Sequence, residues 1–127
     1  MRSRLRAIFL AGVGLLMVGV PVFAHHGNSG LDPTKKVTLK GTVTEWVWAN
    51  PHCWLKFDVK DDKGNVVHWV AEENAPSTLV NFGFTRQTFK PGDEVAVTMI
   101  VAKNGAASGR ANQVVLNGKA YAVIEGQ

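Results

Sequence analysis

Cysteine is nearly absent from this chain: Cys53 is the single thiol among 127 residues. One thiol cannot form an internal disulfide, so a packed core has to supply the stability. No Cys-x-x-Cys pair, His-Glu-x-x-His run or carboxylate-rich loop occurs. Structural zinc, a zinc protease site and a calcium loop are therefore without a signature. A Gly-x-Ser-x-Gly elbow and a phosphate-cradling glycine loop are missing as well. Glu72-Glu73 and Asp93-Glu94 have no spacing that sets two carboxyls across a glycosidic bond. Basic charge is scarcer than the formal +4 suggests, because Arg2, Arg4 and Arg6 lie in the first six residues. Without residues 1–24 the balance is eleven basic to ten acidic side chains. That leaves no electrostatic case for nucleic acid or an anionic membrane as partner.

What is present begins with an export signal. The three arginines precede an apolar run from Ala7 to Val22, and Val22 and Ala24 put small residues at the −3 and −1 positions of a cleavage site. The run is shorter than the roughly 18–20 residues that span a bilayer, so cleavage after Ala24 is expected, with no lasting membrane anchor. The expected product is periplasmic or secreted and opens with His25-His26. Its 103 residues suffice for one domain.

Residues 25–36 are polar and turn-rich and read as a flexible arm. From Val37 the pattern alternates, with Val37, Leu39, Gly41 and Val43 on one face and threonines and Lys40 on the other. The phase slips near Glu45-Trp46-Val47-Trp48, which suggests a bulge. Asn50-Pro51 breaks the run. A second strand follows with Cys53, Leu55, Phe57 and Val59 inward, which makes Cys53 a small buried hydrophobe. Asp61-Asp62-Lys63-Gly64 is a hairpin turn, and Val66 to Glu72 is a third strand. Asn74 reads as a helix N-cap ahead of Pro76, with Gly83 as the stop. Glu94 to Ala102 alternates cleanly, Lys103 to Gly109 is a loop, and Asn117-Gly118 joins two last strands, Ala111 to Leu116 and Lys119 to Val123. The fold class is all-β. A helix between the third and fourth strands suggests a small oligonucleotide/oligosaccharide-binding (OB)-like β-barrel over residues 37–127. A plain six-stranded barrel or small sandwich is the alternative.

Several segments, in this order, resemble a known family: Ala24-His25-His26, Val37 to Trp46, Asn50-Pro51-His52, Gly83 to Arg86 and Lys90 to Val95. The chain is similar to exported bacterial proteins grouped as domain of unknown function 6152. The resemblance implies a periplasmic or secreted β-rich domain with no established activity. Members tend to carry serine after the paired histidines and an aliphatic residue after Asn-Pro-His; Gly27 and Cys53 stand there instead.

The candidate chemistry rests on His25, His26, His52 and His68. An α-amine titrates near 7.7–8.0, so amine and imidazole of a leading His25 would chelate, and nitrogen sets of this kind suit copper. His26 or His52 would complete the set. Gly27 occupies the third position of the processed chain, where the planar four-nitrogen motif needs its histidine. His68 lies mid-strand between Val67 and Trp69 and reads as a strand histidine. Trp46, Trp48 and Trp54, with Trp69 beyond, form a second candidate, a sheet face that stacks a sugar or another small ligand. The chain reads as a binding module for a metal ion, a small ligand or a partner protein of no indicated identity. A copper-dependent oxidase is the one enzymatic option. Intact-mass analysis of the exported product should give a chain starting at His25; a start at Met1 would contradict cleavage.

Overall fold

The computed structural model describes residues 28–122. The expected signal, residues 1–24, and the pair His25-His26 lie outside that range. A 3₁₀ turn, Asn28–Gly30, leads into β1 (Leu31–Val47), followed by β2 (Trp54–Lys60) and β3 (Val66–Glu72). The short helix α1 (Pro76–Leu79) and a second 3₁₀ turn come next, then β4 (Glu94–Ala102), β5 (Ser108–Leu116) and β6 (Lys119–Ala122). The chain is thus mostly β with one short helix between the third and fourth strands. Neighbouring strands run β3-β2-β1-β4-β5-β6, all antiparallel, and β3 also pairs with β5 in parallel. The hydrogen-bonded ladder therefore returns on itself through β1, β2, β3, β5 and β4.

β1 serves two neighbours. Lys36 to Thr42 pair with β4, and Thr42 to Val47 pair with β2. Gly41 sits at the changeover, where an added Cβ would lie 2.4 Å from the Asp58 carbonyl oxygen and 2.9 Å from the Phe57 ring. The expected phase slip is a register shift between Val43 and Glu45. It turns Trp46 toward the side of Leu55, with which it pairs. Cys53 just ahead of β2, Leu55 and Phe57 on β2, and Val95, Val97 and Met99 on β4 point inward and are buried, and Leu79 and Phe84 add to them from the helical segment.

Three expectations need correction. β1 starts at Leu31 rather than Val37, so half of the expected arm is strand. The register shifts between Leu31 and Lys36, a stretch that accommodates Pro33, which has no N–H to give a ladder. The helix N-cap is Ala75, with no side-chain cap; the Asn74 amide oxygen accepts a hydrogen bond from Arg110 instead. β5 begins at Ser108, inside the expected loop, because Ser108 to Arg110 pair with Val70 to Glu72. The Asn117-Gly118 turn is as expected, with φ of 51° and 78° at its two residues.

Gly41→Ala should destabilise the fold by about 1–3 kcal/mol, as overpacking does, whereas Gly30→Ala meets nothing within 4 Å and should be close to neutral. Thermal unfolding of the two variants checks this; equal melting temperatures would contradict it.

Candidate functional site

The bend Ala49 to His52 carries the chain from β1 into β2. Beyond the last β2–β3 rung, Cys53 N–H donates to the Asn74 carbonyl (3.1 Å) and Glu73 N–H donates to the Cys53 carbonyl (2.9 Å). This extension continues the alternation of the two strands. Cys53 and Glu73 are buried, whereas His52, Trp54 and Glu72 are half-buried.

His52 Nδ1 lies 2.7 Å from Glu72 Oε1. The parallel seam sets Arg110 opposite Glu72. Its Nη1 is 3.9 Å from that same oxygen, and its Nη2 donates a short hydrogen bond to Asn74 Oδ1. The three charged or chargeable side chains are 22–30% exposed, shielded enough to hold a geometry and open enough to meet a ligand. A carboxylate accepts but does not donate, so the hydrogen of this pair belongs on Nδ1 and the lone pair of a neutral ring on Nε2. That is the arrangement of a metal-ligating histidine, whose second nitrogen is held by a carboxylate. Trp54 stands edge-on to the His52 ring at 6.4 Å between centroids.

Behind this surface, Glu73 is 3% exposed. Burial pushes its carboxyl up to about 8, with the Arg110 charge pulling the other way. Burial also raises the Cys53 thiol and Glu73 adds to it, while the Ala49 carbonyl, 3.8 Å from the sulfur, and Arg86 act in the opposite sense. Cys53 is therefore a protonated core thiol and not a nucleophile.

The other sequence candidates are dispersed. His68 is 81% exposed, with Nδ1 2.6 Å from Asp58 Oδ1. It precedes Glu72 by four strand residues, about 13 Å of rise. Trp46 pairs with Leu55 on the inner side, while Trp54, one residue earlier on β2, pairs with Val47 on the outer side. Trp46 Nε1 donates to the Thr85 carbonyl at 3.0 Å, and its ring packs on Trp48, Phe84 and Phe89. Trp46 and Trp48 thus fasten residues 84–89, and Trp54 alone of the three adjoins His52. The tryptophans do not line one sheet face. Elsewhere, an open groove of about 450 Å³ is lined by Lys40, Thr42, Asp58, Lys60, Val66 and Glu94. Its charges are mixed, and Glu94 already accepts from Thr42 at 3.0 Å.

Arg110 and Asn74 were not visible as site residues in the sequence, and Glu72 was visible only as one half of an unconvincing acidic pair. Their meeting depends on a parallel register that no local pattern signals. Among the described residues, no three His, Cys, Asp or Glu side chains converge on a metal position. His52 would thus need donors from beyond them.

A family model described as "Family of unknown function (DUF6152)" matches residues 12–112. No curated protein matches the chain.

The raised Glu73 carboxyl has a consequence for stability. From the ordinary value near 4.3 up to about 8, the folded state keeps a proton that the unfolded state has lost. Stability should therefore fall as pH rises through that window, by at most about 1.4 kcal/mol per unit. Chemical denaturation at several pH values should show this slope in the wild type and a flatter one in Glu73→Gln. Parallel profiles would contradict it.

Proposed function

Since the chain belongs to the family of unknown function DUF6152, membership supplies no activity, and we propose one from the geometry. The protein is an exported OB-like β-barrel that binds copper at the N-terminus of its processed chain. His25 chelates through α-amine and ring, and His52, or His26, completes the nitrogen set. The observation that carries this reading is the His52–Glu72 contact of 2.7 Å, which orients an imidazole as metal sites do. The barrel reading draws support from the ring of pairings sealed by parallel β3–β5, with the helix between β3 and β4.

Reach is compatible with a role for His52. The Gly30 carbonyl accepts from Lys103 N–H at 3.0 Å, and Leu31 pairs with Ala102. The first described residues therefore adjoin the β4–β5 turn, from which β5 leaves to pair with β3. Crossing from β1 to β3 takes three strand spacings, about 14 Å, plus two residues of rise, about 7 Å. From Gly30 back to Asn28 the 3₁₀ turn covers about 4 Å, and three more residues to His25 add up to about 10 Å when extended, so the His25 and His52 side chains make up the rest of that path.

A second reading uses the same surface without metal. Trp54, His52, Glu72 and Arg110 together offer an aromatic plane beside hydrogen-bonding groups, a combination suited to a sugar or another polar small ligand.

A Cu(II) titration of protein processed through its own signal, run beside a variant that retains Ala24 ahead of His25, separates the readings. Tight one-to-one binding that is lost in the extended variant is the expected result. Equal weak binding in both would overturn the copper reading. Tryptophan quenching by sugars but not by copper would favour the second.

A further inference from the structure

We infer that Arg110 is the positioning residue for His52, acting through Glu72, with Asn74 holding Arg110 in place. The inference rests on the copper reading for its functional meaning, but its geometry stands in the described residues alone. Glu72 Oε1 faces both the His52 Nδ1, at 2.7 Å, and the Arg110 Nη1, at 3.9 Å. A glutamate at the end of a strand has three rotatable side-chain bonds, and one contact to an imidazole does not fix them. The guanidinium restricts that freedom because it is itself fixed at two points. Its backbone is fixed by the parallel rung with Glu72, and its other terminal nitrogen donates to Asn74 Oδ1. A planar fork can address Glu72 and Asn74 together in a way that a lysine ammonium cannot. The neighbouring carboxyl, Glu73, is held protonated near neutrality by burial, so it does not compete strongly for the guanidinium. The chain of contacts Asn74–Arg110–Glu72–His52 thus explains why Asn74 leaves the helix cap unmade.

The test reads the histidine rather than the fold. Nitrogen-15 NMR of metal-free protein reports which ring nitrogen of His52 carries hydrogen. Wild type should hold the Nδ1–H form. Arg110→Met should shift His52 toward the Nε2–H form and weaken Cu(II) binding about ten-fold, the lower end for loss of an outer-shell partner. Arg110→Lys should fall between. Asn74→Ala, which leaves the strand pairing intact, should move the ring in the same direction and serves if Arg110→Met does not fold. Unchanged His52 nitrogen shifts in a folded Arg110→Met, or in Asn74→Ala where Arg110→Met does not fold, would overturn the inference, even with a lowered melting temperature. If the shifts move but wild type binds no copper, the positioning role stands and the copper reading falls.

Discussion

The parallel pairing of Val70 to Glu72 with Ser108 to Arg110 is the constraint on which the rest of the structure depends. Without it the strands are a sheet with two edges, β3 at one end and β6 at the other. With it, the ladder returns on itself and the inward residues of β2, β4 and β5 share one core. Gly109 stands in this seam, and its close approach is to β4 on the other side: a Cβ there would lie 2.4 Å from the Ile100 carbonyl oxygen and 2.9 Å from Met99 Sδ. The seam also sets Arg110 opposite Glu72, so the contact that closes the ring is the one that assembles the polar surface at its end.

That economy has a cost in stability. A chain with a single buried thiol relies on its core, yet Glu73 is buried beside the seam and held near Arg110. An apolar residue there would avoid the cost of burying a carboxyl. On the outer side, β3 and β5 present Glu72 and Arg110, and the bend before β2 presents His52, all half-shielded, where charge-assisted contacts gain over their strength in open water. Polar groups thus flank the seam on both sides. The aromatic cluster of Trp46, Trp48, Phe84, Phe89 and Tyr121 lies apart from it and joins the helical segment and β6 to the core.

Much of this was legible in the sequence wherever structure is local. Period-two alternation identified β2 and β4, the slip at Glu45-Trp46 marked the bulge, and Asn117-Gly118 marked the last turn. What failed depended on long-range partners. Leu31 to Lys36 read as an arm because Pro33 and the lysines obscure a strand that β4 nonetheless pairs. Asn74 read as a cap because nothing nearby announces Arg110, thirty-six residues on. The three tryptophans read as one face because the β1 bulge, which reverses the outlook of Trp46, cannot be combined with the β2 register before both are known. Of the site, His52 was visible, and the groups that orient it were not. The leading pair His25-His26 lies outside the described residues, so its part in the account stands on sequence and chain length.

The central claim is that His52, held by Glu72, binds the same copper ion as the leading histidine. Pulsed electron paramagnetic resonance of the Cu(II)-loaded, processed protein tests this most directly, because it detects the remote nitrogen of each coordinated imidazole. The account predicts that His52→Ala loses one imidazole coupling while keeping the couplings from the N-terminal residue. Identical spectra from wild type and variant would contradict it and leave His52 outside the metal site.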